Sequence, residues 1–126
     1  MKELAKKVKA DSFLLMASSN EIRNKCLKNI IENLNKDKEH ILAENRRDIE
    51  NARLENIPDS ILSRLLFDTH KMDTVTAGIK DLIKMPDPIG KITLKRELDK
   101  GLVLTRTTTP IGVIGVIFEA RPVALV

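Results

Sequence analysis

The stretch Thr109-Pro110-Ile111-Gly112-Val113-Ile114-Gly115-Val116-Ile117-Phe118-Glu119-Ala120-Arg121-Pro122 decides how the rest of this chain is read. Residues 111–118 carry no charge, and β-branched side chains dominate them. Such a run predicts a strand buried on both faces, as inside a parallel sheet. Gly112 and Gly115 remove side chains where a neighbouring backbone or a ligand approaches closely. Glu119, Ala120, Arg121 and Pro122 follow at the carboxyl end of the run, the place where open α/β sheets bind ligands. A parallel strand meets its partner through a long crossover, and none follows before Val126. The run is therefore read as one strand of an incomplete domain.

Outward from it, residues 92–109 read as an antiparallel ribbon. Ile92, Leu94 and Leu98 alternate with Thr93, Lys95 and Glu97, and Asp99-Lys100-Gly101 supplies turn chemistry. Leu102, Val103, Leu104, Thr105 and the run Thr107-Thr108-Thr109 favour extended structure. The threonine run reads as a strand edge ahead of a phosphorylation site. A lone ribbon is marginal in water, so it is expected to pack on something else or on another subunit. Before it, Met85-Pro86-Asp87-Pro88-Ile89-Gly90 is the clearest boundary, because two prolines one residue apart stop a helix. The expected organisation is a helical segment over 1–85, a Pro-rich hinge and ribbon over 86–109, and the strand of an incomplete domain over 110–126.

The helical segment divides by its own punctuation. Residues 2–18 read as one helix. Ser18 and Glu21 have capping-box spacing for the next, which carries Ile22, Cys26, Leu27, Ile30, Ile31 and Leu34 on one face. Cys26 is expected to be a buried apolar filler. Asp37 is the expected N-cap of a third helix, with Ile41, Leu42, Ile49 and Ala52 inward and residues 45–48 interrupting the middle. Asn56-Ile57-Pro58-Asp59 ends it. Ile61, Leu62, Leu65 and Leu66 mark a short fourth helix. Asp68 or Thr69 caps a fifth, with Met72, Val75, Ile79, Leu82 and Ile83 on one face. Gly78 inside that helix implies a packing reason.

Composition narrows the function classes. Of 126 residues 42% are hydrophobic but only 2% aromatic, so the core is expected to be aliphatic. The net charge of +4 is spread among alternating acids and bases, and no clustered basic helix or stacking aromatics accompany it; nucleic-acid binding is not expected. One cysteine excludes an internal disulfide framework and any CxxC metal site. The amino-terminal residues contain an acid and no apolar h-region, and no apolar run is long enough for a membrane span. The cytosol is the expected compartment. His40 and His70 lack partners at metal-ligand spacing and read as solvated. Gly112-Val113-Ile114-Gly115 is not a dinucleotide loop, since its glycines lie within the run. Arg121 is placed to hold a phosphate or carboxylate through a bidentate fork, or to pair with Glu119 or a neighbour.

The order of four stretches resembles a known family. They are Ile41-Leu42-Ala43-Glu44-Asn45 with Asp48, Leu62-Ser63-Arg64-Leu65, Pro86-Asp87-Pro88-Ile89-Gly90, and the run from Pro110 to Pro122. Together they resemble the glutamate-5-semialdehyde dehydrogenase (γ-glutamyl phosphate reductase) family, within the aldehyde dehydrogenase superfamily, over about its first third. The resemblance implies an α/β fold: an N-terminal helical segment, a β-ribbon used in oligomerisation, and the first strand of a truncated Rossmann-like cofactor domain. It implies NADPH-dependent reduction of γ-glutamyl phosphate to glutamate 5-semialdehyde in proline biosynthesis, with release of phosphate. A cysteine thiolate carries the acyl group as a thioester that accepts hydride. That cysteine is expected beyond this chain, and Cys26 does not match it. No catalytic or metal-ligating residue is expected here, and Phe118, Glu119, Ala120 and Arg121 are the expected cofactor-binding residues. Val123 stands where the family commonly has Asn, with no side-chain hydrogen bond to offer. The chain alone is expected to be inactive; the alternative is an interaction module that pairs with intact subunits through its ribbon.

Overall fold

The computed structural model describes residues 2–125. Its order is α1 (Lys2–Ala17), α2 (Asn20–Lys36), α3 (Lys38–Leu54), α4 (Asp59–Leu65), α5 (Thr69–Lys84), β1 (Ile92–Asp99), β2 (Leu102–Thr107) and a 3₁₀ turn, Pro122–Leu125. The chain divides into two compact units: Met1–Arg23 with Met85–Gly115, and Asn24–Lys84 with Val116–Val126.

The second unit holds the buried core. Leu42 and Ile49 of α3 meet burial with Phe67 and with Met72 and Ile79 of α5, and Met72 is only 1% exposed. These are the helical faces that the 3.6-residue period marks. The polar interruption expected at 45–48 is corrected at its first residue. Asn45 is buried, where it donates from Nδ2 to the Leu65 carbonyl (2.9 Å) and accepts from the Phe67 N–H at Oδ1 (2.6 Å). One amide thereby satisfies both sides of the bend between α4 and α5, which is how a buried polar group is tolerated. Thr76 is also buried and donates to the carbonyls of Met72 and Asp73.

Helix ends follow local chemistry, with three adjustments to the sequence reading. The α2 cap falls on Ser19, whose Oγ accepts from the Ile22 N–H at 3.3 Å; Ser18 turns its hydroxyl back onto the Leu15 carbonyl. Asp37 makes no side-chain cap, because Asp37 N–H still bonds to the Asn33 carbonyl (2.9 Å) and the chain passes almost unbroken from α2 into α3. Beyond its chain neighbours and the surrounding helix backbone, Gly78 has no atom within 4 Å of where a Cβ would stand, so no packing within this chain requires it. Asp68 caps α5, accepting from Lys71 N–H at 2.8 Å. Asn56 closes α3 with φ of 55°. Its N–H bonds to the Arg53 carbonyl and that of Ile57 to the Ala52 carbonyl, a Schellman closure. Lys71 Nζ reaches back to the carbonyls of Ser63 and Leu66 at the end of α4.

The first unit contains α1, the start of α2, the proline loop and the ribbon. None of its described residues is buried. The ribbon pairs antiparallel with Lys95 opposite Thr105 and Arg96 opposite Leu104, and both strands are exposed throughout. The turn at Lys100-Gly101 uses a φ of 79° at Gly101, a conformation that glycine adopts without steric cost. The proline loop is tied down. Asp87 accepts from Arg23 Nη2 at 2.6 Å and from the Ile89 N–H at 3.0 Å. Arg23 also donates to the Ser18 carbonyl. Thr108 Oγ1 donates to the Pro88 carbonyl at 2.6 Å and accepts from the Lys91 N–H at 2.9 Å.

The apolar run departs most from expectation. Residues 109–118 form no strand in this structure, and the apolar side chains of residues 111–118 are exposed, Ile117 fully. A strand is defined by its ladder, and among the described residues only β1 and β2 pair. Gly112 adds a local cause, since its φ of 104° turns the chain out of β geometry.

Candidate functional site

The candidate site lies after that run, in the second unit. Glu119 and Ala120 form a bend, and the 3₁₀ turn Pro122–Leu125 follows, held by the Ala124 N–H bonded to the Arg121 carbonyl at 3.0 Å. Ala120 adopts φ of 47°. The left-handed region costs an L-residue roughly 1–2 kcal/mol, so the bend holds stored strain beside the residues singled out from sequence. Phe118, Glu119 and Arg121 are exposed and Ala120 is half-buried.

Arg121 lines a pocket of ≈ 360 Å³ with Arg64, Val123 and Ala124. Arg64 comes from the end of α4, a helix the sequence reading did not connect to this site. The pairing of Arg121 with Glu119 or a neighbour is not what the structure shows. Among the described residues neither Arg64 nor Arg121 has a carboxylate within 4.0 Å, and neither side chain donates a hydrogen bond; the chain's ion pairs lie elsewhere. Phe118 and Glu119 do not line this pocket. Val123, with its apolar side chain, forms part of its wall.

Other candidate features resolve simply. Cys26, expected to be buried, is exposed on α2, because the face of that helix turned inward is centred on Leu27, Ile31 and Leu34. His40 and His70 are exposed. Among the described residues no group of His, Cys, Asp and Glu is arranged to hold a metal ion, and no helix is long and apolar enough to cross a membrane.

No family model matches the chain. Individual relatives do. It is 46% identical over all 126 of its residues to the γ-glutamyl phosphate reductase of Pelotomaculum thermopropionicum, covering 29% of that protein. It is 47% identical over 124 residues to that of Acetivibrio thermocellus, again covering 29% of the relative. The crystal structure of γ-glutamyl phosphate reductase from Saccharomyces cerevisiae superimposes with a TM-score of 0.92 at 38% identity, over 98% of this chain and 31% of that one. Over its full length the chain matches γ-glutamyl phosphate reductases. It spans about 29% of the length of the curated relatives it matches. The Thermotoga maritima member superimposes with a TM-score of 0.80 at 30% identity, over 86% of this chain and 26% of that one. Five helices followed by an antiparallel ribbon are therefore an architecture shared with solved members of the family. Arg64 and Arg121 both lie within stretches that carried the resemblance in sequence.

Proposed function

We propose that this chain is the N-terminal part of a γ-glutamyl phosphate reductase. The whole enzyme would use NADPH to reduce γ-glutamyl phosphate to glutamate 5-semialdehyde in L-proline biosynthesis, with release of phosphate, in the cytoplasm. The observation that carries this reading is the likeness over the full chain, 46% identity across 126 residues. In this reading 1–85 is the helical segment, 86–109 the hinge and ribbon, and 110–126 the entry to an aldehyde-dehydrogenase-type cofactor domain whose first strand is the apolar run. Exposure of that run supports the assignment, because it displays apolar surface that a sheet would cover.

The residues proposed for the cofactor fit it in one respect. Arg121 has no carboxylate partner among the described residues, and a guanidinium suits a phosphate of NADPH. Phe118, Glu119 and Ala120 would shape the approach to it. NADPH, when bound, supplies the hydride. This chain's own contribution is binding and orientation, since Cys26 is an exposed helical thiol that does not match the family's nucleophile. The isolated 126-residue chain is expected to show no NADPH-dependent reduction of γ-glutamyl phosphate; turnover by it would overturn this assignment of roles.

The second reading is an interaction module that joins intact subunits through the ribbon. Its support is the ribbon's exposure on both faces. Co-elution of the chain with an intact family enzyme on size exclusion is the expected result of that reading, and independent elution counts against it.

A further inference from the structure

We propose that Arg23 and Asp87 form a latch that ties the end of α1 to the base of the ribbon, so that the α1–α2 turn, the proline loop and the ribbon open as one cooperative unit. Among the described residues five ion pairs form, and the other four are of a different kind. Lys6 with Glu3, Arg47 with Glu44 and Lys84 with Asp81 join residues three apart on one helix, all of them exposed, and such pairs contribute little. Lys38 and Asp73 stand 3.5 Å apart, with Asp73 largely exposed. Arg23 and Asp87 lie 64 residues apart in sequence and meet at 2.6 Å, with side chains only 20% and 32% exposed.

The pair continues into both elements. Arg23 Nη1 donates to the Ser18 carbonyl, just past the last residue of α1, while Nη2 donates to Asp87 Oδ2. The last turn of α1 carries no basic residue of its own, so the guanidinium supplies the positive charge that a helix C-terminus favours. The second carboxylate oxygen, Oδ1, accepts from the Ile89 N–H at 3.0 Å. From there the bonding runs into the ribbon. The Pro88 carbonyl accepts from Thr108 Oγ1 at 2.6 Å. The Gly90 N–H bonds to the Thr108 carbonyl and the Thr108 N–H to the Lys91 carbonyl, both at 3.0 Å. Packing adds little, since Leu15, Met16, Ile89 and Pro110 leave beside Arg23 a pocket of ≈ 130 Å³, and no described residue of this unit is buried. A unit with few buried contacts opens at low free energy, and a half-buried, charge-assisted pair is then a large part of what resists opening. The latch stands whatever reaction the whole protein performs.

The test is amide hydrogen exchange, followed by NMR, in the 126-residue chain. In the unaltered protein, low urea is expected to speed exchange at Ser18, Gly90 and Thr108 with one common slope; different slopes at Ser18 and Thr108 overturn the coupling, whatever the variants do. Asp87→Asn keeps an oxygen for the Ile89 N–H but removes the charge, and Arg23→Gln removes the guanidinium fork. Each is expected to raise exchange at the three amides roughly fivefold or more. Continued protection of the Leu42 and Ile79 amides establishes that each variant is folded. The double variant is expected to exchange no faster than the faster single variant, because both substitutions remove one interaction. Unchanged exchange in either single variant, two effects that multiply, or a rise at Thr108 with none at Ser18 overturns the latch. Lys84→Gln, which breaks an exposed pair, is expected to alter none of the three amides, and a comparable rise there overturns the assignment to Arg23 and Asp87.

Discussion

Replacing Asn45 with alanine would strip the Phe67 N–H of its acceptor and the Leu65 carbonyl of its donor in one step. Each stranded buried group costs about 1–3 kcal/mol, so Asn45→Ala is expected to lower unfolding stability by about 2–4 kcal/mol, measured as a fall in urea midpoint. Gly78→Ala should act in the other direction. Beyond its chain neighbours and the surrounding helix backbone, no atom lies within 4 Å of the new methyl group, and removing a mid-helix glycine is worth roughly 0.5–1 kcal/mol, so the midpoint should rise. Ala120 is a different residue-scale case, since its strain follows from φ of 47° and not from contacts. It lies in the bend just before Arg121, whereas Gly78 is a matter of propensity alone.

Elements in this chain are held by short-range devices whose removal should be felt locally. The α5 cap rests on one bond from the Lys71 N–H to Asp68 at 2.8 Å. Asp68→Ala is expected to cost about 1 kcal/mol, with faster amide exchange in the first turn of α5. The ribbon depends on its base. Thr108 Oγ1 contacts Pro88 and Lys91, and the Gly90 N–H bonds to the Thr108 carbonyl at 3.0 Å. A two-stranded ribbon has little stability of its own. Thr108→Val should therefore raise exchange at Lys91 and along β1 and β2 while leaving α3 and α5 protected. Equal loss of protection in α3 would refute this local picture.

Across the whole molecule, burial is uneven. Leu42, Asn45, Ile49, Phe67, Met72, Thr76 and Ile79 all fall within residues 24–84, and the first unit has no buried residue among those described. Regions with few buried contacts open at low free energy. Trypsin is expected to cut first at Lys95, Arg96, Lys100 or Arg106 in the exposed ribbon, leaving a fragment that contains α3 to α5, as read by mass spectrometry. First cleavage within α3 would contradict that order. Binding an intact family enzyme should protect the ribbon if the interaction reading holds.

Much of the fold was legible in sequence because its causes are local. The helical periods around Leu42 and Ile49 and around Met72 and Ile79, the Asp68 cap, the Asn56 closure and the Lys100-Gly101 turn each depend on neighbours a few residues away. The order of four short stretches also pointed to γ-glutamyl phosphate reductases, which the chain matches over its full length. Tertiary structure decided what depends on distant partners. It buried Asn45 and exposed Cys26, because a side chain's surroundings are set by the element facing it and not by its own periodicity. It left the run after Pro110 outside any ladder, because β-propensity makes no strand until another backbone supplies the hydrogen bonds. It brought Arg64 to the same pocket as Arg121, a convergence that spacing along the chain does not encode.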